Sequence, residues 1–352
     1  MRIILANPRG FCAGVFMAVD VVDQLLEICP GEPLYVYHEI VHNLHVVERF
    51  RGRGVTFVED LEDVPAGSIL VFSAHGVSPA IRLQAEQRRL RVVDATCPLV
   101  TKVHAEAIRY AAKGYQILLI GHQDHQEIVG TRGEAPEAIQ IVESPRDIPN
   151  LHIKDPARLV YLTQTTLSMD DARACIDALK RAFPRIKDPP SEDICYATTN
   201  RQKAVRLLAS ECDLVLVVGS KNSSNSQRLR EIAEASGTRA HLIDDSSEID
   251  RAWFRDVATV LVTAGASAPE DLVNDLLLEL VTNHGGVIEQ HTLVNEQVEF
   301  GLPGTLKHFM RQRDIDPTGR RISMDNAAAI KQWLREHDIP LTTVDLTVGA
   351  TS

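Results

Sequence analysis

The chain has 352 residues, with 37 Lys and Arg against 48 Asp and Glu, a formal charge of −11 and an apolar fraction of 44%. That balance suits a soluble globular protein of two or three domains and excludes an extended nucleic-acid footprint, which needs a surplus of Lys and Arg against phosphates. A small phosphorylated ligand is not excluded, whereas a membrane span is: the longest apolar stretches, such as Gln116 to Ile120 and Leu214 to Val218, are far short of roughly 20 residues.

The first segment, Met1 to Pro8, has one basic residue and a short β-type run that stops at Asn7-Pro8. It lacks the apolar region of a signal peptide, so a cytoplasmic location is expected. The six cysteines have no close repeated spacing and do not read as a disulfide framework. In a reducing compartment they are core thiols, ligands or nucleophiles.

From there the chain repeats one pattern three times. Cys12, in Gly10-Phe-Cys-Ala-Gly14, opens an amphipathic helical run from Val15 to Ile28. A strand, Leu34 to Tyr37, then ends in the polar loop from His38 to Asn43, and a second, Ile69 to Phe72, runs into Ser73-Ala-His-Gly76. Cys97, in Ala95-Thr-Cys-Pro98, opens a helix from Leu99 to Ala112. The strand Gln116 to Ile120 leads into Gly121 to Glu127, and Leu159 to Leu162 into Thr163 to Ser168. Cys195, between Asp193 and Thr199, precedes a helical run from Gln202 to Ser210; Leu214 to Val218 leads into Gly219 to Ser226, and Thr259 to Val262 into Thr263 to Ala268.

The offsets agree: 30 residues from Cys12 to His42, 28 from Cys97 to His125 and 30 from Cys195 to Asn225. For the second loops they are 63 to His75, 68 to Thr165 and 72 to Ser267. Three α/β units are therefore expected, with their six polar loops beyond the carboxyl ends of the strands, where open α/β sheets bind ligands. Facing inward, such units put three thiols around one centre.

A single cysteine is most simply a small buried hydrophobe, but three at equivalent positions ask for another explanation. Structural zinc usually takes close C-x-x-C pairs, absent here. An iron-sulfur cluster accepts thiolates from distant segments, and three protein ligands to four irons leave one iron open. Cys29, Cys175 and Cys212 occupy no equivalent loop and read as core or surface thiols. Around such a centre His42, His75 and His125 can donate hydrogen bonds and carry charge beside an anion. Ser223, Ser224, Asn225 and Ser267 add neutral donors just before a helical run from Gln227 to Ala235, whose free amides form an anion site; Ser-Ser-Asn-Ser equally reads as a turn and N-cap. Glu127, two residues after His125, is a candidate proton donor or an exposed loop carboxylate. Thr165 and Thr166 either orient a substrate hydroxyl or cap the next helix.

His38-Glu39-Ile40-Val41-His42 matches the H-E-x-x-H pattern of zinc peptidases, which requires both histidines on one helical face. The strand Leu34 to Tyr37 runs directly into His38 and helical spacing starts only afterwards, so that reading is set aside.

Seven segments together resemble the 4-hydroxy-3-methylbut-2-enyl diphosphate reductase (LytB) family: Ala6 to Gly14, Phe72 to Val77, Asp94 to His104, Thr163 to Ser168, Asp193 to Gln202, Val218 to Ser226 and Val262 to Pro269. The resemblance runs from residue 1 to about 300. It implies three similar α/β units in a pseudo-threefold trefoil around a central 4Fe-4S cluster held by Cys12, Cys97 and Cys195. It implies that His42, His75, His125, Ser223, Ser224, Asn225 and Ser267 bind a diphosphate, with Thr165 and Glu127 beside the substrate hydroxyl. The implied reaction is reductive dehydroxylation of 4-hydroxy-3-methylbut-2-enyl diphosphate to isopentenyl and dimethylallyl diphosphate, the last step of the methylerythritol phosphate route. The substrate C4 oxygen would sit at the open iron, electrons would arrive singly from ferredoxin or flavodoxin, and Glu127, with Thr165 and His125 beside it, would supply the proton.

On this reading residues 1–13 hold the N-terminal strand and first cysteine, 14–96, 97–192 and 193–282 the three units, and 283–352 a C-terminal segment. The chain has Gln126 where the family usually has Pro, and Phe16-Met17 where it commonly has a charged pair. The tail past about 300, outside the resemblance, holds a basic turn-like stretch from Arg311 to Arg321, a helix from Asn326 to Glu336 and a β-type run from Leu341 to Val348, expected to pack on the body. A non-redox iron-sulfur dehydratase and an iron-sulfur sensor are the competing functions.

Overall fold

The computed structural model describes residues 1–319 and 326–346. Among the described residues thirteen strands follow in chain order: β1 (Arg2–Asn7), β2 (Leu34–Tyr37), β3 (Val55–Val58), β4 (Ile69–Phe72), β5 (Arg91–Asp94), β6 (Gln116–Ile120), β7 (Ile139–Val142), β8 (Leu159–Thr163), β9 (Leu214–Val218), β10 (Arg239–Ile243), β11 (Thr259–Ala264), β12 (Val287–Thr292) and β13 (Leu341–Asp345). They make three sheets, β3-β2-β4-β5, β7-β6-β8 and β10-β9-β11-β1-β12-β13. Every pairing is parallel. Parallel sheets covered on both faces need apolar residues on both faces, which is why Leu214–Val218 and Ile69–Phe72 are unbroken apolar runs, buried throughout.

Of the six strands expected from the sequence, β2, β4, β6, β9 and β11 are interior to these sheets and β8 is an edge of its three-stranded sheet, so the chain is a mixed α/β protein. Five further strands, β3, β5, β7, β10 and β12, carry residues such as Thr56, Arg91, Gln140 and Arg239 that mask the apolar signal. The largest sheet takes in both chain ends: β1 lies between β11 and β12, with Ile3 opposite Val260 and Ile288. The helix Tyr196–Leu208 starts six residues before the run expected from Gln202, and the helix Ser224–Ala235 starts three before Gln227. Polar first turns hid both starts.

The tail packs on the body. Leu306, Phe309 and Met310 of the helix Gly304–Arg311 join the core against the β3-β2-β4-β5 sheet with Val36, Phe50, Val71 and Val93. Ile330 and Leu334 of the helix Asn326–Glu336 pack in the core of the large sheet, whose edge β13 extends. Of the basic stretch, residues 320 and 321 lie outside the described residues, as does the β-type run beyond 346.

No H-E-x-x-H helix forms. His38 sits at φ 58°, pairs with Glu59, and the helix begins only at Leu44. Among the described residues no helix is long and apolar enough to cross a membrane.

Candidate active site

Each of the three repeated cysteines is the N-cap of a helix: Cys12 of Ala13–Ile28, Cys97 of Pro98–Ala112 and Cys195 of Tyr196–Leu208. Helix N-termini aim unpaired amides at whatever sits on the cap and favour negative charge there. Thr198 donates its amide at 3.3 Å to Cys195 Sγ, and its hydroxyl lies 3.1 Å from the same sulfur. Burial nevertheless pushes all three thiols up, Cys195 to about 11. The thiols line one cavity of about 90 Å³. Cys97 packs so closely on the first turn of the Cys12 helix that a Cβ on Gly14 would fall 2.5 Å from Cys97 Sγ.

Among the described residues no three His, Cys, Asp or Glu side chains converge on a point that holds one metal ion. Three thiols from distant segments around one cavity, each at the N-terminus of a helix, suit the thiolate ligation of an iron-sulfur cluster. Cys29, Cys175 and Cys212 are buried in apolar cores elsewhere.

Glu127 enters the same cavity from the helix Gln126–Glu134, capped by His125. It is buried, not an exposed loop residue, with 2% of its surface accessible. The amide of Thr165 donates to Oε1 at 2.7 Å and its hydroxyl to Oε2 at 3.0 Å. Burial outweighs these bonds and pushes the carboxyl up to about 7, where an acid can donate a proton near neutral pH. Thr165 is not a helix cap, since Ser168 caps Met169–Ala182; Thr166 Oγ1 accepts from Gln164 at 2.8 Å.

Three imidazoles cluster in the same cavity. His42 stacks on His75 with centroids 4.0 Å apart, and His125 lies edge-on to both at 5.5 and 6.0 Å. Burial, reinforced by neighbouring imidazoles, pushes His75 well down and His125 to about 3. Both are therefore neutral until an anion arrives to favour their charged forms. His125 Nδ1 accepts the Glu127 amide at 3.2 Å, which places the proton of the neutral ring on Nε2.

Ser223 is the N-cap of Ser224–Ala235, as the turn reading of Ser-Ser-Asn-Ser has it, and Ser223, Ser224 and Asn225 also line the cavity. Ser267 donates to the His42 carbonyl at 2.9 Å, joining this loop cluster to the histidines. Asn225 is buried, yet neither Oδ1 nor Nδ2 has a partner among the described residues. Such orphaned polar atoms are costly unless a ligand satisfies them. All twelve residues that the sequence assigns to the site line this one cavity, and Thr166 lines it with them.

Sequence reasoning missed the braces. Arg201 is fully buried and donates to the Gly10 carbonyl at 2.7 Å and the Ala197 carbonyl at 3.1 Å, with Glu296 at 3.1 Å. It thus ties the Cys12 loop to the Cys195 helix. Asp193 accepts from the Thr163 amide and from Lys102, each at 3.0 Å, pinning the Cys195 loop to the Cys97 helix. A charged residue two helical turns from a cysteine reads as surface until the fold buries it. Phe300, from the C-terminal segment, completes the lining.

Fold and site together define an α/β protein with a cavity where three thiols, a buried acid and a cluster of imidazole, hydroxyl and amide side chains meet. The chain belongs to the LytB protein family, whose model matches residues 3–281. It is 52% identical over 313 residues to the 4-hydroxy-3-methylbut-2-enyl diphosphate reductase of Acidothermus cellulolyticus, covering 89% of this chain and 92% of that protein. To the enzyme of the same name from Bordetella pertussis it is 54% identical over 314 residues, covering 89% and 96%. Among solved structures, the E-1-hydroxy-2-methyl-but-2-enyl-4-diphosphate reductase of Plasmodium falciparum matches with a TM-score of 0.86 and 39% identity, over 89% of this chain and 99% of that one.

Proposed function

We propose that the chain is a reductase with the activity its relatives are named for, converting 4-hydroxy-3-methylbut-2-enyl diphosphate to isopentenyl and dimethylallyl diphosphate. The allylic hydroxyl leaves as water as two electrons and two protons are taken up. Cys12, Cys97 and Cys195 hold a 4Fe-4S cluster at the centre of a pseudo-threefold trefoil of the units 14–96, 97–192 and 193–282. When bound, such a cluster supplies single electrons and an open, Lewis-acidic iron. Ferredoxin or flavodoxin supplies the electrons, in the cytoplasm.

The protein's own groups do the remaining work. His42, His75, His125, Ser223, Ser224, Asn225 and Ser267 take the diphosphate, whose binding energy orients the reacting end. Thr165 holds Glu127 by amide and hydroxyl, and Glu127 gives up the proton that lets the hydroxyl leave. The observation that carries this reading is the meeting, in one cavity, of three helix-capping thiols with a buried carboxyl pushed up to about 7.

Iron and acid-labile sulfide should be near four of each per chain in protein purified without oxygen, and turnover should require reduced dithionite-mediator. Turnover without reductant would make it a dehydratase. Ligand binding with no turnover would make it a sensor, and zinc without sulfide would discard the cluster.

A further inference from the structure

The H-E-x-x-H segment is not a zinc motif, yet its carboxylate, outside the cavity lining, is bonded to a histidine that lines it. Glu39 Oε2 lies 3.0 Å from His42 Nδ1 and accepts from Asn222 Nδ2 at 2.8 Å. The hydrogen bond to His42 holds Glu39 below the usual carboxylate range. An ionised carboxylate can only accept, so Nδ1 of His42 carries a proton and the bond fixes the orientation of the ring. Asn222 immediately precedes Ser223, Ser224 and Asn225. One carboxylate oxygen therefore joins the histidine wall to the serine and asparagine loop, 183 residues away in sequence. Leu44 and Ser220 repeat the link, amide to hydroxyl, at 2.9 Å.

A negative charge beside an anion site is unfavourable unless it does something there that a neutral group does not. We propose that Glu39 is a positioning residue of the diphosphate site: it fixes the His42 ring and holds the Asn222 loop against it, so that donors from two units stand ready for one anion. This inference rests on the anion-site reading of the cavity and deepens it. At metal sites, removing the outer partner of a ligating histidine typically costs 10- to 100-fold in affinity or activity, and an effect at the low end of that scale is expected for this anion site.

The test uses inorganic pyrophosphate as a calorimetric probe and the allylic diphosphate for kinetics, on cluster-loaded protein. Glu39→Ala should weaken pyrophosphate about tenfold and raise KM similarly, with kcat within about twofold. Glu39→Gln, which keeps the shape and loses the charge, should move the same way by less. Asn222→Ala should also weaken binding, and the double variant Glu39→Ala/Asn222→Ala should be no weaker than Glu39→Ala, because both act through one oxygen. Unchanged pyrophosphate affinity, a fall in kcat at constant KM, or full additivity would overturn the inference. Wild-type protein that binds pyrophosphate but does not reduce the substrate would remove the reductase reading and leave Glu39 in its role. Wild-type protein that binds no pyrophosphate would remove both.

Discussion

Thr165 holds Glu127 with both of its donors, amide at 2.7 Å and hydroxyl at 3.0 Å, while its carbonyl accepts the Cys195 amide at 2.9 Å. One residue at the carboxyl end of β8 therefore fixes the acid relative to a thiol. Glu127 must face a group at the centre of the cavity, and this linkage makes its position a property of backbone rather than of a free side chain.

Burial pushes Glu127 up to about 7, from an ordinary 4.5. The donor form is full below that value and lost above it, so kcat should fall as pH rises through about 7. Glu127→Gln should keep iron and substrate binding, lower turnover by roughly 10²- to 10⁴-fold and erase that limb. The same shift has a stability consequence. The folded state binds more protons than the unfolded between about 4.5 and 7, so this group's contribution falls as pH rises through that window. Thermal melts at pH 5 and pH 8 should differ less in Glu127→Gln than in wild type; equal slopes would show that Glu127 titrates normally.

Thr165→Val removes the hydroxyl and leaves the amide. Both bonds favour the ionised carboxylate, so losing one moves Glu127 further up. The alkaline limb of kcat should shift to higher pH while turnover falls, and an unmoved limb would dissociate Thr165 from the acid.

Cys195→Ser should lose iron, whereas Cys175→Ser should keep it. Cys175 is 1% exposed in the core with Leu118, Leu159 and Leu179, so its variant should show only a lower melting temperature. Equal iron in the two would remove Cys195 from the ligands.

Gly14→Ala separates the cluster from the fold. Alanine favours a helix interior by roughly 1 kcal/mol over glycine, but here its Cβ meets Cys97 Sγ at 2.5 Å and Cys97 Cβ at 3.2 Å. Iron content should drop while the circular dichroism of metal-free protein is unchanged. Full iron content in that variant would show that Cys97 moves aside at no cost.

Arg201→Met removes a fully buried cation and leaves Glu296 and the Gly10 carbonyl without it. Breaking one side of a buried pair costs about 3 kcal/mol or more, so chemical denaturation should show a loss of that order, accompanied by weaker iron retention through Cys12. A loss below about 1 kcal/mol would mean that Arg201 is not the brace.

The sequence by itself determined the periodic elements and the recurrence of cysteine, strand and polar loop. Leu34 to Tyr37 and Leu214 to Val218 are legible because strands buried on both faces must be apolar throughout, and the cysteines are legible because each opens a helix. Contacts across long separations were decided only by the tertiary structure. The stack of His42 on His75, the burial that shifts Glu127 and the unpartnered Asn225 arise from segments that no local pattern relates. The same holds for Arg201, whose charge reads as surface, and for β12 and β13, whose polar residues conceal that they extend the sheet begun by β1. Local propensity acts over a few residues, whereas desolvation and charge pairing depend on what the fold brings within a few ångströms, and that is where this site acquires its chemistry.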